Sequence, residues 1–302
     1  MISIVVLSYN HQDYILDTLD SACEVDLVKE IIVIDDGSTD DSSCVIKDYI
    51  NKKSSNIDIK FIEKVNSGLV KSLNIGLHMA KYENIYFIAS DDIICPADFK
   101  SLFNVFLESK QSKMIIGNAW IYHANTPCSQ KCYTTKHNDF FALSDDEIRK
   151  SIFTNFPKPL LLQSAIFKKQ ALLDVGGWNE NLVWDDYPMF VKMISNYSIS
   201  RKEIQYNEQY VVSKYRQHET NTYKNIRKQI SMLEEAFKVV VPANILPKAL
   251  TKQYAFYLLM AIKNKDALVI KYLLRAIIKN GEYVMFITSF ASEISDWVKR
   301  KL

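Results

Sequence analysis

The sequence predicts an α/β protein with a mostly parallel sheet, followed by an all-helical C-terminal appendage. Strand and helix patterns alternate through about the first ninety residues, at the interval of successive right-handed βαβ units. Two acidic pairs, Asp35-Asp36 and Asp91-Asp92, each follow an apolar run that is typical of a buried strand. Because the carboxyl ends of parallel strands open on one crevice, we expect these acids to share a site.

The individual elements follow from two patterns. Apolar β-branched runs favour strands, and apolar residues spaced three or four apart favour helices. The strands are expected over 2–7, 30–34, 57–62, 84–89, 114–117 and 160–167. The helices of the same region are expected over 13–22, 40–50, 69–80, 98–109 and 145–153. Residues 125–138 are polar and lack periodicity, so we predict a loop there that is mobile over the site.

Beyond residue 221 the sequence predicts helices only. They are expected over 224–239, 249–264, 267–279 and 283–301. Lysines and an arginine interrupt these segments, so no stretch reaches the ~18 uncharged apolar residues of a membrane span. We therefore predict one core with an appended helical region rather than a membrane anchor.

Composition disfavours several classes of protein. Apolar residues make up 48% and charged residues 24% of the 302 residues, as in a globular protein rather than a disordered one. The net charge of +2 gives no argument for nucleic-acid binding. The five cysteines lack the spacing of a disulfide scaffold and indicate a reducing cytoplasm. The short apolar run at the N-terminus does not predict export.

The two acidic pairs at strand ends are suited to a nucleotide and a metal. Asp36, beside the expected start of a helix, could accept a hydrogen bond from a ribose hydroxyl or a base N–H. The hard oxygen ligands of Asp91 and Asp92 suit Mg²⁺ or Mn²⁺ bound to a diphosphate. Two plainer alternatives stay open, in which the first pair caps a turn and the second forms a solvated turn. The first strand is not followed by a GxGxxG fingerprint, which disfavours dinucleotide binding.

A third acidic pair, Asp185-Asp186, ends the segment GGWNENLVWDD of residues 176–186. We interpret the glycines as a tight turn and the aromatic side chains as a surface for a sugar ring, although Trp178 and Trp184 could equally belong to the core. A carboxylate whose pKa is raised by partial burial can act as a general base. This pattern predicts that one acid of the pair deprotonates a hydroxyl group.

Six segments together resemble the inverting glycosyltransferases of family 2, in the bacterial type that builds O-antigen, capsule and related polysaccharides. In family order they are IVVLSYN of residues 4–10, EIIVIDDGSTD of 30–40, NSG of 66–68 with NIG of 74–76, ASDD of 89–92, GGWNENLVWDD of 176–186, and YRQH of 215–218 with Asn221. The chain departs from the family pattern at Leu7, Leu73, Ala89 and Asp185. Ala89 replaces the first acid of the DxD motif, which leaves the two acids that follow it to hold a metal.

The resemblance implies a GT-A fold over residues 1–222, with a nucleotide-binding half over 1–95, an acceptor half over 96–222, and a helical region over 223–302. It implies a UDP-sugar donor, Mn²⁺ or Mg²⁺ as cofactor, and a glycan or lipid-linked saccharide as acceptor. Asp186 would be the catalytic base. The residues expected to bind the nucleotide are Ser8, Tyr9, Asn10, Asp35, Asp36, Asn66, Gly68 and Asp91. The metal ligands would be Asp92 and His218, and the acceptor would contact Trp184 and Asp185.

Other classes and partners stay open at this stage. A sugar nucleotidyltransferase would share the metal acids but would be expected to carry a glycine- and arginine-rich loop after the first strand, which is absent. A non-catalytic nucleotide-sugar-binding scaffold is the second rival. The last predicted helix combines apolar residues with the basic end Lys299-Arg300-Lys301, so peripheral contact with the inner face of the plasma membrane is one expectation. Packing on the core or in a homo-oligomer is the other.

Overall fold

The structure is a computed structural model that describes residues 1–53, 57–124, 126–218 and 225–299. It divides into two units. The first comprises Met1–Arg149 and Pro157–His218, and the second comprises Lys150–Phe156 and Glu219–Leu302. The predicted boundary between residues 222 and 223 lies outside the described residues, and the predicted division into two halves at residue 95 stays a prediction.

The first unit is built on one mixed sheet. Its strands in the described ranges are β1 (Ile2–Ser8), β2 (Val28–Asp35), β3 (Asp58–Glu63), β4 (Asn84–Ala89), β5 (Ile93–Ile94), β6 (Met114–Tyr122), β7 (Ala165–Lys168) and β8 (Ile204–Arg216). Their order across the sheet is β3-β2-β1-β4-β7-β6-β8-β5. Strands β3, β2, β1 and β4 are parallel to one another and β6 is parallel to β8, whereas β7 is antiparallel to β4 and β6, and β5 to β8. The predicted α/β class with a mostly parallel sheet is confirmed.

Helices cover both faces of the parallel strands, and further helices follow along the chain. In the described ranges up to residue 199 the α-helices are α1 (Ile15–Cys23), α2 (Ser42–Lys52), α3 (Leu69–Met79), α4 (Pro96–Glu108), α5 (Thr135–Phe141), α6 (Asp145–Thr154), whose last residues belong to the second unit, α7 (Lys169–Asp174) and α8 (Asp186–Asn196). Side chains alternate between the faces of a strand, so β1, which is buried along its whole length, needs a helix on each side. Val6 packs in the core cluster that includes Leu19 of α1 and Phe103 of α4. On the other face, a Cβ on Gly76 of α3 would lie 2.4 Å from Val5 Cγ1, so glycine allows this close approach.

Several elements differ from the sequence-based expectations. The strand expected over 160–167 is wrong in its first part, because a short 3₁₀ helix, Leu162–Ser164, precedes β7. The loop expected over 125–138 is too long at its C-terminal end, since Thr134 and His137 form a capping box that starts α5. Residue 125 lies outside the described residues. The sequence patterns do not predict β5, α7, α8 or β8, and β8 mixes buried and exposed side chains without strict alternation.

The second unit is helical, as predicted. Its helices in the described ranges, beyond the end of α6, are α9 (Ile226–Val240), α10 (Leu246–Lys263), α11 (Ala267–Asn280) and α12 (Tyr283–Lys299). The carboxylate of Glu234 on α9 accepts hydrogen bonds from the hydroxyl groups of Tyr254 on α10, at 2.7 Å, and Tyr272 on α11, at 2.5 Å. Gly281 ends α11 with a positive φ of 72°. Among the described residues, none of the helices is both long and apolar enough to cross a bilayer.

Candidate functional site

The first two acidic pairs flank the carboxyl end of β1. The backbone N–H of Asp36, which follows β2, donates to the carbonyl of Ser8 at 2.8 Å. The backbone N–H of Ser90, which follows β4, donates to the carbonyl of Leu7 at 2.9 Å. Because β2 and β4 both pair with β1 in parallel, the chain segments that carry the acids leave the sheet side by side.

The acids after β2 bind two neighbouring loops. The carboxylate of Asp35 accepts from the backbone N–H of Ser38 at 2.9 Å and from its hydroxyl group at 2.5 Å. The carboxylate of Asp36 accepts from the backbone N–H groups of Ser67 at 2.8 Å and Gly68 at 2.9 Å. Asp35 therefore makes the turn contacts that the plainer alternative expected, and the nucleotide-binding role of both acids stays a prediction.

The loop of residues 64–68 closes over the second of these acids. The ammonium group of Lys64 donates to the Asp36 carboxylate and, at 2.6 Å, to the hydroxyl group of Ser67. A Cβ on Gly37 would lie 2.6 Å from the backbone nitrogen of Asn66, and its φ is +72°, so this turn requires glycine. Asn66 and Gly68 are exposed at the tip of the loop, which leaves them accessible to a ligand.

Ser8, Tyr9 and Asn10 leave β1 toward the same crevice. The hydroxyl group of Ser8 is buried and has no hydrogen-bond partner within the described part of the chain. Tyr9 is 46% exposed. Asn10 adopts a φ of +55°, and its side-chain oxygen accepts from the backbone N–H of Thr39 at 2.8 Å. The predicted nucleotide segment therefore offers one buried hydroxyl group and one exposed aromatic ring.

His11, Asp91 and His218 form a group that we call the His–Asp cluster. Each offers one ligand atom, and the three atoms lie within 4.8 Å of one another. His218 Nε2 lies 2.9 Å from Asp91 Oδ2, and His11 Nε2 lies 3.8 Å from the same oxygen. Burial alone would raise the pKa of Asp91, but the hydrogen bond from His218 and the nearby His11 outweigh it, so the pKa is lowered. Burial lowers the pKa of His11, more than Asp91 raises it.

Asp92 points away from this cluster into the protein. Its Oδ1 accepts from the backbone N–H of Arg216 at 2.8 Å, and its Oδ2 accepts from the side-chain amide of Gln163 at 2.8 Å. Burial raises its pKa well above the usual range, and the charge of Asp91 adds to the shift. The structure therefore places Asp91, rather than the predicted Asp92, beside His218 in a set of groups that could hold a cation.

Arg216 anchors the end of β8 beside the same acids. Its side-chain Nε donates to the carbonyl of Asp91 at 2.6 Å, and its Nη2 donates to Asp17 Oδ2 at 2.6 Å. The ring of Tyr14 stacks on His218 with centroids 4.9 Å apart, and the guanidinium group of Arg216 lies 5.0 Å from the same tyrosine ring. These contacts hold the YRQH segment against β4. Asn221, which completes the predicted motif, lies outside the described residues.

Asp185 and Asp186, which we call the acceptor pair, lie at the start of α8. Asp186 Oδ1 accepts from the backbone N–H of Leu162 at 2.7 Å. Burial raises the pKa of Asp186 well above the usual range, and the charge of Asp185 adds to this. Burial raises the pKa of Asp185 to about 6. Beside them, Trp184 stacks on Tyr187 with ring centroids 5.0 Å apart. Trp184 is only partly buried, so its predicted contact with the acceptor stays open.

The 3₁₀ helix Leu162–Ser164, which we call the linking turn, connects the acceptor pair with the strand-end acids. Leu162 donates its backbone N–H to Asp186, and the next residue, Gln163, donates its side-chain amide to Asp92. Two consecutive residues thus hold one acid of each pair. The linking turn therefore joins Asp92 and Asp186 within one hydrogen-bonded framework.

A second connection runs from α3 to the double glycine. The side chain of Asn74 accepts from the backbone N–H of Trp178 at 2.9 Å and donates to its carbonyl at 3.0 Å. A Cβ on Gly177, whose φ is +60°, would lie 2.7 Å from Asn74 Oδ1. Trp178 is 4% exposed and packs edge-to-face on Phe87, so it belongs to the core, as one alternative expected. The second NxG motif therefore positions the segment that leads to the acceptor pair.

The sequence-based reasoning does not single out four of these residues as parts of the site: His11, Asn74, Gln163 and Arg216. A motif signal exists for Asn74 and Arg216, which stand within the NIG and YRQH segments. His11 directly follows the SYN segment, but a lone histidine carries no signal of its own. Gln163 lies in a stretch that the sequence assigns to a strand, and that assignment gives no indication of its contact with Asp92.

Comparison with known proteins gives concordant results. The family model described as Glycosyl transferase family 2 matches residues 3–169. The poly-beta-1,6-N-acetyl-D-glucosamine synthase of Staphylococcus epidermidis is 27% identical over 194 residues, which are 64% of this chain and 45% of that protein. This chain therefore aligns with less than half of the synthase.

Two solved structures resemble the chain over almost its whole length. The crystal structure of S. aureus TarS 1-349 in complex with UDP-GlcNAc has a TM-score of 0.58 at 18% identity, covering 98% of this chain and 92% of that one. The mannosyltransferase PcManGT from Pyrobaculum calidifontis, in complex with GDP-Man and Mn²⁺, has a TM-score of 0.58 at 14% identity, covering 98% and 87%. At these identities the likeness establishes the fold, which is the expected GT-A fold.

Proposed function

The chain belongs to glycosyl transferase family 2, and from that premise we propose that it is a metal-dependent inverting glycosyltransferase. It would move a sugar from a nucleotide-sugar to a hydroxyl group of a glycan or lipid-linked oligosaccharide. The product would serve surface-polysaccharide synthesis in the cytoplasm. The observation that carries the proposal is the linking turn, whose consecutive residues hold Asp186, the candidate base, and Asp92, the neighbour of the His–Asp cluster.

The residues present are suited to a divalent cation. Asp91 and His218 would hold it, because a carboxylate oxygen and an imidazole nitrogen face each other at 2.9 Å in a largely buried position. When bound, such a cation offsets negative charge on a departing nucleoside diphosphate. The lowered pKa of Asp91 keeps its carboxylate ionised, as a ligand must be.

Asp186 would act as the general base. Its raised pKa makes it a better proton acceptor than an ordinary carboxylate, and it lies at the partly exposed start of α8, where an acceptor could enter. The base takes the proton of the acceptor hydroxyl as that oxygen bonds to the anomeric carbon. The bond from this carbon to the diphosphate oxygen breaks on the opposite face. One displacement of this kind inverts the configuration and needs no covalent enzyme intermediate.

The donor is proposed to be a UDP-N-acetylhexosamine. Support comes from two relatives, a synthase named for poly-beta-1,6-N-acetyl-D-glucosamine and TarS, whose structure is in complex with UDP-GlcNAc. A beta linkage made from an alpha-linked donor agrees with inversion. UDP-hexoses are the next candidates. Comparing them with GDP-Man, which is present in the PcManGT structure, tests whether the donor's nucleobase is uracil.

The decisive experiment measures nucleotide release and product together. The full chain is incubated with each nucleotide-sugar, a short glycan acceptor and Mn²⁺, with metal-free and acceptor-free reactions as controls. We expect UDP release that depends on both additions, and a beta linkage in the product by NMR. Binding of a nucleotide-sugar without release, for every acceptor tried, would favour the scaffold alternative. Release of pyrophosphate from UTP and a sugar phosphate would instead favour a nucleotidyltransferase.

The basic end of the last helix, for which the sequence predicts membrane contact, lies outside the described side chains, so that contact stays a prediction. For α11 in the second unit we propose a separate contact with an anionic membrane surface. Leu268 and Ile278 are 69% and 64% exposed, and they share a helical face with Lys271 and Arg275, which are also exposed. The sequence of α11 contains no acidic residue. A helix face with apolar side chains between lysine and arginine side chains favours binding at the interface of an anionic bilayer. Peripheral contact at the inner face of the plasma membrane would bring the enzyme to a lipid-linked acceptor.

Flotation with vesicles tests this contact. Wild-type chain is expected to float with vesicles that contain an anionic lipid and to float less with neutral ones. The double substitution Leu268→Ser with Ile278→Ser should reduce flotation, whereas Val239→Ser, which changes an exposed apolar residue on α9, should not. Equal flotation of the three proteins would exclude α11 as the contact. A sedimentation measurement of the same proteins would show whether α11 joins two copies of the chain instead.

A further inference from the structure

His11 occupies a position that suits a ligand as well as His218 does. Its Nε2 lies 3.8 Å from Asp91 Oδ2, and all three ligand atoms of the cluster lie within 4.8 Å of one another. In an octahedral site with bonds of about 2.1 Å, adjacent ligand atoms lie about 3 Å apart and opposite ones about 4.2 Å apart. Small rotations of the two imidazole rings are therefore enough to place the three atoms around one cation.

The other side of the His11 ring is already fixed. Its Nδ1 lies 2.8 Å from the hydroxyl oxygen of Ser90, and its backbone N–H donates to the hydroxyl oxygen of Ser42 at 2.9 Å. Ser90 is fully buried, and its own carbonyl accepts from the hydroxyl group of Thr18 at 2.9 Å. Histidines that bind metals commonly donate from the second ring nitrogen to such a partner, which orients the ring. With the proton on Nδ1, the lone pair of Nε2 points toward Asp91.

We propose that His11 is a third protein ligand of the divalent cation, and that the two imidazoles make this site select Mn²⁺ over Mg²⁺. The inference rests on the proposed metal-dependent function and specifies the cation. Mg²⁺ prefers oxygen ligands, whereas Mn²⁺, a divalent transition metal, accepts imidazole nitrogen as well as oxygen. A cluster with one carboxylate and two imidazoles offers Mg²⁺ one protein ligand of its preferred type and offers Mn²⁺ three that it accepts.

Pulsed electron paramagnetic resonance of the Mn²⁺-loaded full chain with UDP tests the ligand directly. Nitrogen nuclei bound to Mn²⁺ modulate its signal, and growth with ¹⁵N-labelled histidine assigns that modulation to imidazole. We expect the wild-type spectrum to fit two imidazole nitrogens. His11→Asn and His218→Asn should each leave one. His78→Asn, which changes an exposed histidine on α3, is the matched control and should keep both.

Calorimetry on the same proteins tests the selectivity. In His11→Asn the affinity for Mn²⁺ should fall by about 10-fold or more, while that for Mg²⁺ changes by less than about 3-fold, so the preference for Mn²⁺ shrinks. Ser90→Ala should reduce Mn²⁺ affinity by a smaller factor, because it removes only the support of the ring. Unchanged affinities in His11→Asn would overturn the assignment.

The outcomes separate this inference from the proposed function. If wild-type chain binds Mn²⁺ with UDP but shows one imidazole nitrogen, His11 is not a ligand and the metal-dependent transfer still stands. If wild-type chain binds neither cation, both proposals fail. The labelled wild-type spectrum needs no substitution, so it decides the ligand number even if His11→Asn does not fold.

Discussion

The His–Asp cluster and the acceptor pair are linked through residues 162 and 163, yet the surroundings of Asp91 and Asp186 shift the pKa values of these two acids in opposite directions. Asp91 faces two imidazoles, and its pKa is lowered although it is buried. Burial and the neighbouring carboxylate of Asp185 raise the pKa of Asp186, and the hydrogen bond from Leu162 offsets only part of this shift. In the proposed mechanism, the carboxylate that binds the cation is thus kept ionised, and the one that accepts the proton is kept basic.

Asp186→Asn tests the proposed general base, and it has the largest expected effect. The amide cannot take a proton, so kcat should fall by a factor on the order of 10² to 10⁴. UDP affinity with Mn²⁺ should stay the same, because the substitution leaves the His–Asp cluster intact. Rates of UDP release and calorimetric titration measure the two quantities. Asp174→Asn, at an exposed acid that ends α7, is the control, and substantial activity in Asp186→Asn would remove this residue as the base.

A matched pair of substitutions, Asp91→Asn and Asp92→Asn, tests which of these neighbouring acids binds the proposed cation. Asp91→Asn should weaken Mn²⁺-dependent UDP binding by on the order of 100-fold, since it removes a proposed ligand. Asp92→Asn should weaken it less, because that carboxylate accepts from Arg216 and Gln163 instead of facing the cluster. Calorimetry with and without Mn²⁺ measures both. A larger loss of Mn²⁺-dependent UDP affinity in Asp92→Asn than in Asp91→Asn would indicate that Asp92 binds the metal, as the sequence predicts.

The pH dependence of kcat/KM tests the raised pKa of Asp186 directly. A base works when it is deprotonated, so the rate should rise with pH, and the raised pKa of Asp186 places the rise above the range of an ordinary carboxyl group. Asp185→Asn removes the adjacent like charge, which should move the acidic limb to lower pH. Initial rates across a pH series in wild type and Asp185→Asn measure the shift. An unmoved limb would mean that another group controls it.

The smallest expected effect is on the free energy of unfolding. Burial raises the pKa of Asp185 to about 6 in the folded chain, above the ~4 of an unfolded aspartate, so its contribution is complete below about pH 4 and is lost as the pH rises through 6. Asp185→Asn should therefore gain on the order of 1 to 2 kcal/mol over wild type between pH 4 and pH 7. Unfolding in denaturant at both pH values measures this difference. An equal difference at the two values would contradict the shift.

The sequence predicts the nucleotide side of the fold well and the rest less well. Strands β1, β2 and β4 are mostly apolar and buried, as expected in a sheet covered on both faces, so their positions follow from the pattern. β8 has partly exposed tyrosines and polar residues, and its pairing with β6 is what makes it a strand. Such long-range pairing leaves no local period to detect.

The site shows the same limit. Strand ends predict that the acids after β2 and β4 meet, because parallel pairing fixes where the chain leaves the sheet. Which acid of Asp91 and Asp92 faces the cluster depends on how the chain turns after β4, and sequence spacing does not specify that. The YRQH motif predicts His218 as a metal ligand together with Asp92, but its contact is with Asp91, 127 positions away, and His11 reaches Ser90 through the fold alone.

The linking turn has a practical consequence for inhibitor chemistry. Because residues 162 and 163 bond to Asp186 and to Asp92, the neighbour of Asp91, one short piece of backbone sets the spacing between the proposed proton acceptor and the proposed cation site. A compound that joins a diphosphate mimic to an acceptor mimic would then gain most from a stiff tether matched to that spacing. Lengthening the tether in a series of such bisubstrate compounds should give a sharp optimum in potency rather than a plateau.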